Sequence, residues 1–223
     1  MPESITLTAS DGHRFAGWLA RPAGKPRAGL VVLQEIFGVN AHIRRVTERY
    51  AELGFLAIAP ALFDRVRPNV ELGYTDFQPG RDLVGALAQD NLVRDMSAAV
   101  NAVAEAGRVG AVGYCWGGAL ADLAACECNV AAAVSYYGRH TVNWLDKTPK
   151  SPVMYHFAKL DPVIPPELCA QIMAGRPQGT HYIYEEATHG FNCDDRHEYH
   201  AASAKLALER TLEFFGRHLS SGG

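Results

Sequence analysis

The chain has 223 residues, of which 48% are hydrophobic and 20% charged, and its formal net charge is −3 at pH 7. This length favours one domain with its own hydrophobic core. The weak negative charge lacks the basic footprint of nucleic-acid-binding and membrane-surface proteins, and no apolar stretch is long enough to cross a bilayer, so we expect neither nucleic acid nor membrane as a partner.

The chain begins with residues 1–4, which lack the basic and apolar regions of a signal peptide. The five cysteines form an odd number without the spacing of a disulfide framework. Together these features predict reduced thiols in a cytoplasmic protein. Cys126 and Cys128 resemble half of a zinc site, but no second pair at zinc spacing accompanies them, so we expect helix-end packing there and no metal.

The first predicted elements form a β-hairpin. Residues 4–8 and 14–20 both alternate apolar and polar side chains, which is the pattern of a half-buried strand. The dipeptide Asp11-Gly12 between them is a strong turn signal, so the protein should start with an antiparallel pair of strands.

A parallel sheet is predicted next. Residues 28–33 are continuously apolar, as in a strand that is buried on both faces. Asn40 can cap the helix that follows, and residues 55–59 form a second buried strand. A strand, a helix and a strand in this order require a right-handed crossover in a parallel sheet.

Residues 60–80 interrupt this alternation with three prolines, two glycines and three aromatic residues. Long ordered loops after the carboxyl end of a strand often cover a functional site. The segment is therefore a candidate lid, although a surface loop without a catalytic part fits the sequence equally well.

The second half of the chain continues the alternation. A long helix carries Leu92, Met96 and Val103 on one face and ends near Gly107. Further strands are predicted at 109–112, 130–136, 152–157 and 180–184, and further helices at 119–125, 166–174 and 201–215. This pattern predicts a single α/β domain over residues 1–223, with a mostly parallel central sheet flanked by helices on both faces.

The stretch Gly113-Tyr114-Cys115-Trp116-Gly117-Gly118 joins a predicted strand to a predicted helix. A nucleophile with glycines two positions away on either side is the pattern of a nucleophile elbow, here with Cys115 in place of serine. Gly113 and Gly117 avoid a steric clash in the strained turn. The N-terminus of the following helix directs its free N–H groups at the sulfur, which favours the thiolate and anionic intermediates. A glycine-rich turn around an inert buried cysteine is the alternative.

Two residues at later strand ends form a possible triad with Cys115. In a parallel sheet, active-site residues come from loops at the carboxyl ends of the strands. Asp161 and His189 follow the strands at 152–157 and 180–184, and the order nucleophile, acid, histidine is that of α/β-hydrolases. The imidazole would exchange protons with the thiol while the carboxylate orients it. Taken singly, Asp161 could be a turn former and His189 a surface residue.

The same template predicts an oxyanion hole. Its first donor is the backbone N–H of the residue after the nucleophile, Trp116. Its second donor comes from the loop after the strand at 28–33, where Ile36 or Phe37 would donate. Removing one such donor typically costs about 3–4 kcal/mol of transition-state stabilisation.

Four motifs combine these residues. They are Gln34-Glu35-Ile36-Phe37-Gly38-Val39-Asn40, Gly113-Tyr114-Cys115-Trp116-Gly117-Gly118, Asp161 and His189-Gly190-Phe191. Together they resemble the dienelactone hydrolase (carboxymethylenebutenolidase) family over residues 5–216, which implies an α/β-hydrolase fold with little or no cap domain, no cofactor, and a triad of Cys115, Asp161 and His189. The resemblance also implies that Glu35 pairs with the resting thiol and helps to generate the thiolate when substrate binds. The alternative for Glu35 is a structural carboxylate that supports its loop through hydrogen bonds.

One position departs from this resemblance. Family members that act on dienelactone bind the substrate carboxylate with arginines, and Cys193 occupies the position of one of them. Arg81 or Arg196 would then have to bind the substrate carboxylate in place of the missing arginine. Three aromatic residues near the motifs are further candidates for the substrate pocket: Tyr114, Tyr137 and Phe191.

The resulting hypothesis is a hydrolase that cleaves a lactone or an activated ester through a thioacyl-enzyme intermediate. A thioester intermediate is hydrolysed well only when the enolate released in the first step, or the geometry around the thioester, assists the reaction. This requirement favours an activated lactone over a plain alkyl ester as substrate. A general carboxylesterase or thioesterase with the same triad is the second hypothesis, and a non-catalytic small-molecule binding protein is the third. We expect a small-molecule ester or lactone as partner, and a monomer or weak homodimer.

Overall fold

The structure is a computed structural model that describes residues 2–220. Within them, eight strands form one sheet: β1 (Glu3–Thr8), β2 (Arg14–Ala20), β3 (Ala28–Leu33), β4 (Phe55–Pro60), β5 (Val109–Tyr114), β6 (Ala132–Tyr136), β7 (Val153–Ala158) and β8 (Thr180–Tyr184). The α-helices are α1 (Ala41–Glu52), α2 (Phe77–Gly85), α3 (Gln89–Val103), α4 (Trp116–Glu127), α5 (Pro166–Gly175) and α6 (Ala201–Leu219). The single-domain prediction also includes residue 1 and residues 221–223, which lie outside the described residues.

The strand order across the sheet is β1-β2-β4-β3-β5-β6-β7-β8. β1 and β2 form the predicted antiparallel hairpin, and β2 also runs antiparallel to β4. All neighbouring pairs from β4 to β8 are parallel. The mostly parallel sheet is therefore confirmed, and the carboxyl ends of its parallel strands lie along one edge.

Helices cover both faces of this sheet. A side chain at Gly29 on β3 would meet the Val103 carbonyl oxygen of α3 at 2.6 Å, whereas one at Gly110 on β5 would meet Leu219 of α6 at 2.8 Å. Gly110 pairs with Leu30, and successive residues of a strand point to opposite faces. Consequently α3 and α6 lie on opposite faces, as predicted.

Two helices differ from the sequence predictions. α4 begins at Trp116 rather than Ala119, because the carbonyl oxygen of Cys115 accepts hydrogen bonds from the N–H groups of Gly118 and Ala119. α2 has no predicted counterpart, since the predictions treat 60–80 as one loop. No helix within residues 2–220 has the length and the apolar character needed to cross a membrane.

Helix α2 packs on the loop that follows β3. Pro79 lies in the first turn of the helix, where its missing N–H has no helical partner to lose. A side chain at Gly80 would collide with the carbonyl oxygen of Ile36, so only glycine allows this approach. The Phe37 ring meets the Phe77 ring edge-on at 5.6 Å. The segment therefore covers the predicted oxyanion loop, and its motion as a lid remains a prediction.

Candidate active site

Cys115 lies in the turn between β5 and α4. Its backbone dihedral angles are φ 54° and ψ −115°, a region that residues other than glycine rarely adopt and that is found at strained functional positions. A side chain at Gly113 would collide with the Gly117 carbonyl oxygen, and one at Gly117 would collide with that of Leu33. Glycine is therefore required at both positions, and the turn has the geometry that the elbow pattern predicts.

Asp161 and His189 form a short hydrogen bond. Nδ1 of His189 lies 2.7 Å from Oδ2 of Asp161, and both side chains are buried. The other carboxylate oxygen, Oδ1, accepts hydrogen bonds from the backbone N–H groups of Val163 at 2.7 Å and Ile164 at 3.0 Å. Asp161 thus forms the turn of its loop with one oxygen and orients the imidazole with the other.

Cys115 influences the protonation of His189. Burial disfavours the charged imidazolium, but the negative charge of the Cys115 thiolate and hydrogen bonds to Asp161 and Cys115 outweigh it and raise the pKa of His189 to about 10. The Tyr137 ring packs against the imidazole at 5.0 Å. Because Nδ1 is held by Asp161, Nε2 is the nitrogen left for Cys115, which is the arrangement in which an imidazole can accept a thiol proton.

An NMR titration of His189 tests its interaction with Cys115 directly. We expect an NMR titration of the imidazole in the wild-type protein to give a midpoint near the pKa of about 10. In Cys115→Ala the thiolate charge and its hydrogen bond are lost while the Asp161 bond stays, so the midpoint should fall toward the ordinary value of about 6.5. Equal midpoints in the two proteins would show that Cys115 does not act on the ring.

The predicted oxyanion donors lie on two segments that pack against each other. Gly117, in the first turn of α4, packs so tightly on the end of β3 that a side chain would collide with the Leu33 carbonyl. This approach brings Trp116 next to the loop after β3. Within residues 2–220, the backbone N–H groups of Ile36, Phe37 and Trp116 donate to no protein acceptor. A thiol, an oriented imidazole and unused N–H donors are the groups that nucleophilic acyl transfer requires.

Glu35 does not make the contact that the resemblance implies. Its side chain is 1% exposed, and neither carboxylate oxygen has a hydrogen-bond partner within residues 2–220. Burial raises the pKa of Glu35, and the guanidinium of Arg196 lies 3.8 Å away. Neither a hydrogen bond of Glu35 to the Cys115 thiol nor loop-supporting hydrogen bonds of its carboxylate are seen within residues 2–220, and the part that Glu35 plays in catalysis stays a prediction.

The two candidate arginines have different surroundings. Arg196 turns inward, with 7% of its side chain exposed, and its Nε and Nη2 atoms donate to the Glu198 carboxylate at 3.2 and 2.9 Å. Arg81 is exposed on α2. Cys193 is fully buried, and its thiol donates to the Tyr74 hydroxyl at 3.2 Å. Arg196 is therefore the arginine near the site, but Glu198 already pairs with it.

The three aromatic candidates occupy different places. Tyr137 has φ 40° and packs on His189, so it lies at the site. Phe191 is completely buried, with its ring 5.4 Å from that of Tyr137, and its contact with substrate stays a prediction. The Tyr114 hydroxyl lies 3.2 Å from that of Tyr50, beside a cavity of about 200 Å³ that no triad residue lines. Its contact with substrate also stays a prediction.

Three residues outside the predicted set surround Glu35 and Arg196. His42 is 2% exposed, and its Nδ1 lies 3.1 Å from Oδ1 of Asp194. Tyr74 contacts Cys193, and Glu198 binds Arg196, as described above. Of these three residues, only His42 could have been noticed in the sequence. It lies two positions after Asn40, which ends the oxyanion motif and caps the next helix. Tyr74 and Glu198 come from remote segments.

Known proteins share this fold and, in two cases, much of this sequence. The profile of the Dienelactone hydrolase family matches residues 15–219. A carboxymethylenebutenolidase of Pseudomonas putida is 34% identical over 226 residues, which cover 96% of each chain. A crystal structure from Klebsiella pneumoniae, assigned provisionally to the dienelactone hydrolases, has a TM-score of 0.87 at 28% identity and covers 97% of this chain and 98% of its own. An esterase of Pyrococcus furiosus shares the fold alone, with a TM-score of 0.72 at 14% identity over 99% of this chain and 93% of its own.

Proposed function

The chain belongs to the dienelactone hydrolase family, and from this premise we propose that it hydrolyses a lactone or an activated carboxylic ester with Cys115 as the nucleophile. Family membership supports the wider class, a hydrolase of carboxylic esters or lactones. One observation supports the mechanism: Cys115 lies in a strained turn, and its charge raises the pKa of an imidazole whose Nδ1 is held by Asp161 at 2.7 Å. A non-catalytic binding protein has no need of this arrangement.

In the first step, the Cys115 thiolate, whose proton is carried by Nε2 of His189, attacks the carbonyl carbon of the substrate. The carbonyl oxygen gains negative charge, which the N–H groups of Trp116 and of Ile36 or Phe37 stabilise. The intermediate collapses, the C–O bond breaks, and the imidazolium returns its proton to the leaving oxygen. In a lactone this oxygen stays attached to the acyl chain, so the ring opens into a thioester.

In the second step, water hydrolyses the thioester. His189 takes a proton from water as its oxygen adds to the thioester carbonyl, and the same N–H groups stabilise the oxyanion. The C–S bond then breaks, which releases the carboxylic acid and restores the Cys115–His189 pair. A leaving group that stays tethered as an enolate helps this step, which favours an activated lactone over a plain alkyl ester.

A general carboxylesterase with the same triad is the second candidate, and the surroundings of Arg196 favour it. A dienelactone carries a carboxylate, whose binding needs an available cation. The Arg196 guanidinium already pairs with Glu198 at 2.9 Å and lies 3.8 Å from Glu35. A substrate carboxylate would have to displace Glu198, whereas an uncharged ester would not.

Substrate preference tests the proposal. We expect the wild-type protein to turn over a cis- or trans-dienelactone with a larger kcat/KM than p-nitrophenyl acetate, because the ring-opened enolate stays beside the thioester. Glu198→Gln should raise kcat/KM for the dienelactone more than for p-nitrophenyl acetate, since it releases Arg196 to bind a carboxylate. Preference for the uncharged ester would favour the second candidate, and no turnover of either substrate would contradict the hydrolase proposal.

A further inference from the structure

Three metal-ligating side chains from separate segments converge beside the candidate active site: Glu35, His42 and Cys193. We propose that they form a buried site for one thiophilic divalent cation of the Zn²⁺ class. The two hydrolytic steps derived above involve none of these three residues, so the proposal stands or falls independently of the role of Cys115.

The three groups have the composition and the spacing of such a site. One ligand atom of each lies within 4.8 Å of the other two, and the side chains are 1%, 2% and 0% exposed in the order Glu35, His42, Cys193. Carboxylate, imidazole and thiolate bind Zn²⁺ at about 2.0–2.3 Å in tetrahedral geometry, so the side chains need to close by roughly 1 Å around the ion. Three protein ligands leave a fourth position for water.

The Glu35 carboxylate is an independent sign that a ligand is needed. Both of its oxygens are buried and lack a hydrogen-bond partner within residues 2–220, which is unfavourable for a polar group. The neighbouring guanidinium of Arg196 stays 3.8 Å away and directs its short hydrogen bonds at Glu198 instead. A cation between Glu35 and its two neighbours would satisfy these oxygens.

The orientation of His42 also suits a metal. Its Nδ1 bonds Oδ1 of Asp194 at 3.1 Å, which leaves Nε2 as the ligand atom. Histidines that bind a metal through one ring nitrogen commonly donate the other N–H to a carboxylate, which fixes the orientation of the ring. His42 could alternatively group with Asp194 and Asp195. Those carboxylates are partly exposed and already pair with Arg49 at 3.1 Å and Arg45 at 2.5 Å, so the buried group is favoured.

The thiol of Cys193 decides which metals would bind. Thiolate and imidazole ligands favour Zn²⁺ and related transition metals over Mg²⁺ and Ca²⁺. On binding, the thiol proton is released to solvent and the S–metal bond replaces the S–H bond. The Tyr74 hydroxyl, 3.2 Å from the sulfur, could then donate a hydrogen bond to the thiolate. The bound cation would hold the Glu35 carboxylate in place beside the triad.

Cobalt spectroscopy tests the site without any measurement of hydrolysis. We expect the full-length protein, freed of metal with a chelator, to bind one equivalent of Co²⁺ with a thiolate charge-transfer band in the near ultraviolet, and Zn²⁺ to displace it. Cys193→Ser should abolish this band and lower the zinc affinity at least about tenfold. His42→Gln should lower the affinity as well, and it tests the site independently if Cys193→Ser does not fold.

Cys169→Ser is the matched control, because Cys169 lies on α5, outside the cluster, and should leave both the band and the affinity unchanged. No Co²⁺ binding by the wild-type protein would overturn the proposal. A band that survives in Cys193→Ser and disappears in Cys115→Ala would also overturn it, since the metal would then be on the nucleophile. Circular dichroism and the unfolding midpoint establish that each variant is folded.

Discussion

Replacement of Cys115 by alanine should lower kcat/KM for p-nitrophenyl acetate by at least about 10⁴-fold, and for a dienelactone by a similar factor. Cys115 is held at φ 54° in the elbow, and the charge of its sulfur acts on His189, so its loss removes the atom that forms the acyl-enzyme. The imidazole and the backbone N–H groups remain, but they can support only a slow direct attack by water. Steady-state kinetics on variants with an unchanged unfolding midpoint would measure the effect.

Cys169→Ala is the matched control for this experiment. Cys169 is a half-buried cysteine whose sulfur lies 3.9 Å from that of Met173, so its removal should leave the hydrolysis rate unchanged. Mass spectrometry of the wild-type protein after reaction with p-nitrophenyl acetate should detect the acetyl group on the Cys115 peptide. Neutral hydroxylamine should remove the group, as expected for a thioester. Full activity of Cys115→Ala would exclude this residue as the nucleophile.

The parts of the fold that follow from local patterns could be predicted from the sequence. Strands such as 28–33 are buried on both faces, and this burial requires the continuous apolar runs that mark them. The turn at Cys115 was equally predictable, because one strained residue requires glycines at fixed distances. Asp161 and His189 follow from the same logic, since parallel strands bring their carboxyl ends to one edge.

The parts that depend on packing between remote segments could not be predicted. Pro79 and Gly80 indicate a loop, yet they belong to a helix. This helix packs so closely on Ile36 that only glycine fits at Gly80. The neighbours of Glu35 could not be predicted from the sequence either. They come from positions 42, 193 and 196, and no spacing in the sequence connects these positions. The resemblance implies a pairing with Cys115, whereas within residues 2–220 the Glu35 carboxylate makes no hydrogen bond.

Asp161→Asn should lower kcat about 10⁴-fold while it leaves the fold intact. Oδ1 of Asp161 accepts hydrogen bonds from the N–H groups of Val163 and Ile164, and the asparagine oxygen is the only atom of the new side chain that can replace it. The amide NH₂ must then face Nδ1 of His189, where the carboxylate now accepts at 2.7 Å. This reversal places the imidazole proton on Nε2, so the ring can no longer accept the thiol proton of Cys115.

The same substitution separates the two roles of Asp161, because asparagine forms this kind of turn as well as aspartate does. If the residue served the turn alone, Asp161→Asn would retain both the unfolding midpoint and the hydrolysis rate. We expect the midpoint to change little and the rate to collapse, and Asp161→Ala to lose both, since it removes the turn hydrogen bonds too. Parallel measurement of kcat and of thermal unfolding for the three proteins distinguishes an orienting carboxylate from a structural one.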